Sequence, residues 1–297
     1  MATTHRLSIN PLPWILGDLA YHLDAGVVES ALTDLKAVGY TALTVEMPAE
    51  MGVSEYGALF AKHGVNPAPG YFSGAFHDAS AHAGLIEGIK RHAEAHAHFG
   101  LDQAFIAADL VPERIAAPAV GAGDYDGASA VIAEGMAEAA EAAAAIGVRY
   151  ALHPHVGSLV EVESEVRAVL DRTAGGALGF GPDTGHLVWA GADPLSVIGD
   201  YADRVVALHV KDVDPVAREA ALTAGDDYLT ATLQRHVWTE PGRGQIDFTR
   251  VTDLLPDGWD GWTVVEVDVP NLPDRIASSR FALEYLQAQD FYAGTGA

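Results

Sequence analysis

An α/β barrel of eight strand–helix units, the (β/α)8 TIM barrel, is the fold class this sequence predicts. Three observations predict it. Short apolar, β-branched runs alternate with segments of helical period about eight times along the 297 residues, near the roughly 250 residues such a barrel needs before insertions. Groups that bind metals or move protons directly follow several of those runs, and the carboxyl ends of barrel strands form the active face. The composition, 49% hydrophobic and 20% charged, suits one sizeable core. With no linker, composition break or low-complexity tract, residues 1–297 are expected to form a single domain.

In chain order, Arg6 to Asn10 is the first strand, followed by Pro11-Leu12-Pro13-Trp14, whose prolines predict a loop. Val27 to Val38 places Val28, Ala31, Leu32 and Leu35 on one helical face and stops at Gly39. Thr41 to Val45 is the second strand and ends at Glu46, Ser54 to His63 a helix, and Pro67 to Phe72 the third strand. Ala83 to Phe99 is a long helix whose His92 and His96 stand four apart. No zincin-like acid accompanies them, so a solvated face is expected. Gln103 to Ala107 is strand four, and Asp126 to Ile146 a helix closed by Gly147.

Arg149 to Leu152, strand five, runs into HPHVGSLVE, and Glu163 to Arg172 is the next helix. Ala177 to Phe180, strand six, leads into PDTGH, and Asp193-Pro194-Leu195 starts a helix with Asp as N-cap and Pro in the first turn. Val205 to Leu208, strand seven, leads into HVKD. A helix over Arg218 to His236 and a Gly-rich loop with a helix start at Asp247 precede strand eight, Trp262 to Val265, which ends Glu266-Val267-Asp268. The helix Asp274 to Gln287 closes the ring.

A formal net charge of −24 repels phosphate backbones and anionic membrane surfaces, so neither nucleic acid nor a membrane is an expected partner. No cysteine is present, which removes thiolate nucleophiles and Cys-ligated zinc and leaves oxygen and imidazole ligands. The start, MATTHRLSIN, shows no basic region followed by an apolar one, and no apolar run approaches the ~20 residues that span a bilayer; a cytoplasmic protein is expected.

Four later strands end in potential ligands: His153, His155 or Glu161 after strand five, Asp183 after six, His209 after seven and Glu266 after eight. Each alone is an ordinary turn or core residue. At successive strand ends they converge on one rim, where carboxylates and imidazoles suit Mn, Co, Zn or Mg. Trp14 is a candidate platform for a ring-shaped ligand or simply cover for the barrel mouth. Glu46 is a candidate contact or a cap.

The blocks HPHVGSLVE, PDTGHLVWAGADP, HVKDV, EPGRGQIDF and VVEVD resemble, in this order, the xylose-isomerase-like sugar isomerase/epimerase superfamily. NPLPW with DTGH, AGADP and HVKDV is most similar to the branch containing inosose dehydratase. The resemblance implies one catalytic divalent metal, Mn²⁺ foremost and Co²⁺, Mg²⁺ or Zn²⁺ as alternatives, held by a Glu–Asp–His–Glu set. Residue by residue it points to Asp183, His209 and Glu266. Many relatives have Glu at the end of strand five where this chain has His153, and Glu161 is the carboxylate taken as first ligand instead. His155, His186 and Lys211 match positions that contact substrate in relatives, and Arg243 is left unassigned.

The chemistry so implied is proton abstraction beside the carbonyl of a keto-sugar or keto-cyclitol, with Glu161 and Glu266 exchanging protons on either face and a metal-stabilised enediolate between. Isomerisation, epimerisation and dehydration branch from that step. A small-molecule substrate and an enzyme that often forms homo-oligomers are what such a family implies. A metal endonuclease on the same barrel conflicts with the −24 charge; a non-catalytic sugar-binding barrel is the other alternative.

Overall fold

The computed structural model describes residues 6–17, 20–125 and 127–289. The β-branched runs become eight parallel strand positions: β1 Arg6–Ile9, β2 Ala42–Thr44, β3 in two pieces (Asn66–Ala68 and Tyr71–Gly74), β4 Gln103–Ala108, β5 Arg149–Leu152, β6 Gly179–Phe180, β7 Ala207–Val210 and β8 Trp262–Val265. β1 pairs with β8 and β2, β8 with β7, and β2 with the first piece of β3. The second piece of β3 continues the ring through β4 and β5 to β6. Single bridges, Phe180 to Val205 and Asp183 to His209, close β6 onto β7. β4, β7 and β8 are buried at every position, as strands are when side chains fill the barrel on one face and helices cover the other.

β3 is broken for a chemical reason. Pro69 has no N–H to give a neighbour. At Gly70 a Cβ would lie 2.4 Å from the Val45 carbonyl oxygen and 3.1 Å from His96 Nε2. Bare backbone there lets the Gly70 N–H donate to His96 Nε2 at 2.9 Å while its carbonyl accepts from Phe105. His96 and His92 therefore do not form the solvated face the sequence predicts. His96 is fully buried, its Nδ1 bonds the His92 carbonyl, and His92 Nδ1 pairs with the Tyr150 hydroxyl. The spacing that suggested an exposed pair serves packing between the helix His82–His98 and the barrel wall.

Other differences are local. Leu12–Ile15 is a short helix, because a proline fits the first helical turn. The segment Arg218 to His236 is two helices, Pro215–Ala224 and Tyr228–Leu233, divided at Gly225, whose φ is 66°. The helix expected from Asp126 runs over Ala128–Ala144; its expected first residue lies outside the described ones. β7 starts later than expected, so His209 lies within it. Asp183 caps a helix, Thr184–Trp189, that follows it at once. Asp193 and Asp247 cap helices as expected. After β7 a small antiparallel pair, Asp212–Val213 with Trp238–Thr239, stands above the rim. The Asp212 carboxylate gathers the N–H groups of Gly242, Gly244 and Ile246, which shapes the Gly-rich loop. Among the described residues no helix is long and apolar enough to cross a membrane.

Burial pushes the His96 pKa down to about 4. The unfolded chain, with an ordinary histidine, then binds the extra proton between about pH 6.5 and 4, so His96 contributes stability above that window and loses it as pH falls. Urea unfolding at pH 7, 6 and 5 is expected to show stability falling with pH, His96 supplying up to about 1.4 kcal/mol per unit. The His96→Gln variant is expected to have a visibly flatter slope; an unchanged slope would refute the assignment.

Candidate metal centre and its cavity

The carboxyl ends of β6, β7 and β8 bring three donors together. Asp183 caps its helix by accepting the His186 N–H at Oδ1, 2.8 Å, which leaves Oδ2 turned inward. His209 pairs in register with Val264 on one side and bridges to Asp183 on the other. Glu266 follows β8, held by its N–H to the Val210 carbonyl. His209 Nδ1 lies 3.2 Å from Glu266 Oε2 and 3.6 Å from Asp183 Oδ2. One ligand atom from each of the three falls within 4.8 Å of the others.

His153, just past the end of β5, stands next to this group. Its donor atom falls within 4.8 Å of Asp183, and its ring centroid lies 4.6 Å from that of His209. His153 Nδ1 is buried without a hydrogen-bond partner among the described residues, and Asp183 Oδ2 and His209 Nδ1 have only the loose ion-pair contacts just given, an arrangement that natural proteins seldom tolerate unless something else engages the atoms. The charges point the same way. Asp183, Glu266 and Asp268 are buried together, with Lys211 as ammonium beside two of them and His209 as the only other basic group ion-paired with them among the described residues, so carboxylates outnumber the cations. Burial presses His209 towards its neutral form, but Glu266, with Asp183 beside it, lifts it to about 9. Two imidazoles and two carboxylates around an acidic buried point fit a divalent ion. His186 also falls near His153 and Asp183. Its Nδ1 accepts the Val156 N–H at 3.0 Å, so its Nε2 carries the proton and offers no lone pair.

Lys211 organises the carboxylates. Its Nζ lies 2.8 Å from Glu266 Oε1, 2.6 Å from Asp268 Oδ1 and 4.0 Å from the centre of the Trp238 ring. Burial alone would deprotonate it, but Asp268 and Glu266 raise its pKa well above the usual lysine value. Asn10, just past β1, donates to Glu266 Oε2 at 3.0 Å.

A cavity of about 720 Å³ opens onto this centre, and Glu46, His153, His155, His209, Glu266 and Asp268 line it. Three residues expected at the substrate lie elsewhere. Trp14 is 4% exposed, donates to Asp34 at 2.9 Å and stacks under Arg275, because its short helix turns it against the helix Ala25–Val38 while Leu12, Ile15 and Leu16 face the cavity. His186 and Lys211 are fully buried behind the wall, His186 with its ring 3.9 Å from that of His155.

Glu161, expected as first ligand, is placed apart from Asp183, His209 and Glu266. Its carboxylate is taken up by Arg114 Nη1 at 2.9 Å and by the N–H groups of Gly157, Gly121 and Ala119 at 2.8–3.1 Å. With its oxygens so engaged, Glu161 is not among the groups gathered at the strand ends, whereas His153, just past β5, is. The sequence reading also passed over Asn10 and Asp268. Asp268 had a signal, since two residues beyond Glu266 at a strand end is the same face. Asn10 follows β1 as Glu266 follows the neighbouring β8.

Residues 32–289 match the family model described as the xylose isomerase-like TIM barrel. The inosose dehydratase of Geobacillus kaustophilus is 25% identical over 292 residues, covering 95% of this chain and 93% of its own length. The rhizopine catabolism protein MocC of Rhizobium meliloti is 25% identical over 307 residues, covering 97% and 90%. Among solved structures, D-allulose 3-epimerase from Methylomonas sp. superposes with a TM-score of 0.69 at 15% identity, over 96% of this chain and 97% of that one. The IolI protein with a bound zinc atom gives 0.68 at 14%, over 97% and 98%. At such identities the two structures show a shared fold.

Glu161→Gln is expected to lower stability by about 3 kcal/mol, the cost of breaking a buried pair, with Mn²⁺ affinity by calorimetry within about threefold of wild type. His153→Ala is expected to weaken Mn²⁺ by about a hundredfold or more, since even outer-shell losses cost 10–100-fold. The reverse pattern would return Glu161 to the ligand set.

Proposed function

The chain belongs to the xylose isomerase-like TIM-barrel family, and on that premise we propose that it removes the proton beside the carbonyl of a cyclic polyol ketone and expels the neighbouring hydroxyl as water. It is an enzyme of the sugar isomerase, epimerase and dehydratase group, and the relatives matched along most of their length include an inosose dehydratase. Residues 1–297 are taken as one barrel domain working on a small molecule in the cytoplasm, as monomer or homo-oligomer.

One observation carries the choice of dehydration. Epimerisation through two bases needs a carboxylate on each side of the reacting carbon. Glu266 supplies one, but on the β5 side the position is held by His153, and Glu161 is committed to Arg114 and three backbone N–H groups. Burial, with His209 adding to it, holds His153 well below the usual imidazole range, so it is neutral and fit to be a ligand. With His153 and Glu161 so placed, Glu266 has no matched carboxylate on the β5 side to return the proton from the opposite face.

His153, Asp183, His209 and Glu266 would hold the ion, which we take as Mn²⁺, with Co²⁺ and Zn²⁺ compatible with the same nitrogen and oxygen donors and Mg²⁺ less so. When bound, such an ion polarises a carbonyl and takes up the negative charge that develops on its oxygen. The protein's own groups do the rest. Glu266 accepts the proton. Lys211 and Asn10, on its two oxygens, fix the carboxylate so that little reorganisation accompanies the transfer. Asp268, tied to the same ammonium, offers an acceptor to a substrate hydroxyl. His155 donates its Nδ1–H to the Val156 carbonyl, leaving Nε2 as an acceptor.

Proton NMR with Mn²⁺ in D₂O tests this on 2-keto-myo-inositol beside free ketohexoses and ketopentoses. Deuterium is expected beside the carbonyl of the cyclitol, followed by loss of water to a conjugated product. Deuterium with a new epimer and no loss of water would overturn dehydration; no exchange with any substrate would overturn the proton abstraction itself. Glu266→Gln is expected to slow exchange by at least about 10²–10⁴-fold, the usual worth of a positioned base.

A further inference from the structure

Expelling hydroxide at neutral pH needs a proton on the departing oxygen, and the groups that line the cavity differ in whether they have one to give. Asp268 and Glu266 are ion-paired to Lys211 and so stand as acceptors. His155 has committed its proton to the Val156 carbonyl. Burial holds the Tyr71 and Tyr228 phenols above their usual range, which makes them weak acids.

Glu46 is different. It follows β2 at the rim, its N–H fixed to the Tyr56 hydroxyl at 3.0 Å and the preceding Val45 bonded to the Ala68 carbonyl. Its side chain lines the same cavity as Glu266, with Asn10 at the end of the intervening β1. Among the described residues no hydrogen bond or ion pair engages its carboxyl. We propose that Glu46 is the general acid that delivers a proton to the departing hydroxyl, an assignment that rests on the dehydration proposed above. Desolvation at this half-buried position, reinforced by the Glu266 charge, pushes its carboxyl up to about 8, toward the protonated form.

The step balances. Glu266 takes the C–H proton, the C–H electrons form the C=C bond of an enolate, and the carbonyl π pair moves onto its oxygen, from which it returns to re-form C=O in the next shift. The enolate C=C electrons then shift to a new C=C bond as the β C–O bond breaks and takes its electron pair with the oxygen. The Glu46 O–H proton joins that oxygen, and water leaves. Glu46 remains as carboxylate and Glu266 as acid, and exchange with solvent restores both. The net change is ketone to conjugated enone plus water, with no oxidant or reductant.

The test separates the leaving group from the base. Wild type comes first, because absence of C–H exchange there would fail the underlying reaction rather than this assignment. In Glu46→Gln, exchange beside the carbonyl is expected to stay within about threefold of wild type while loss of water falls about 10²–10⁴-fold. A substrate carrying fluorine in place of the β-hydroxyl needs no proton to depart, and its elimination by the variant is expected within about tenfold of wild type. Asp109→Asn, at a further carboxyl of the cavity, is expected to leave loss of water within about threefold. Should Glu46→Gln fail to fold, Glu46→Asp is expected to slow loss of water but not of fluoride. Exchange and elimination falling together, fluoride showing no rescue, or Asp109→Asn alone abolishing loss of water would each overturn the assignment.

Discussion

Three carboxylates buried around one ammonium are the constraint from which the rest of this molecule follows. Asp183, Glu266 and Asp268 have been taken out of water with Lys211 between two of them. Removing charges from water costs several kcal/mol each unless partners are fixed in place. The barrel supplies that fixity by ending adjacent strands at one rim. β8 carries Glu266, β7 places His209 beside it, and the bridge from Asp183 to His209 closes the ring where the donors meet. The strand pairing that makes a barrel is the same pairing that assembles the site.

A second layer of buried acids does structural work by collecting backbone N–H groups. Asp212 gathers those of the Gly-rich loop, and Glu161 ties the loop after β5 to the segment Ala119–Gly121 and to Arg114. Buried carboxylates thus fall into two kinds. One kind has its oxygens filled by amides and cannot serve chemistry. The other has an oxygen turned to the cavity or to an imidazole. Glu46, half-buried, resembles the second kind, since it faces the cavity and no hydrogen bond or ion pair engages its carboxyl among the described residues.

The identity of the residue at the end of β5 shapes the chemistry open to the site. With His153 there, no strand-end carboxylate stands on the β5 side, and the neutral imidazole adds no negative charge to a centre already rich in it. Lys211 lies behind the wall rather than in the cavity, so its influence on a substrate passes through the carboxylates it holds.

The sequence by itself determined the eightfold alternation of strands and helices, and with it the convergence of Asp183, His209 and Glu266. Strand-end position is a property of local pattern: an apolar β-branched run stops where its polar residue begins, and parallel strands in a closed ring bring those stops together. What pattern does not carry is the direction in which a side chain finds its partners. Glu161 looked like a ligand because it is an acid at the end of a recognisable block. Arg114 and three N–H groups, distant or unremarkable in sequence, claim it. Trp14 turned away because two prolines began a helix, and His96 went inward because Gly70 needed an acceptor. These outcomes were decided by the tertiary structure alone, since which donor satisfies which buried acceptor depends on contacts between segments that the linear pattern does not relate.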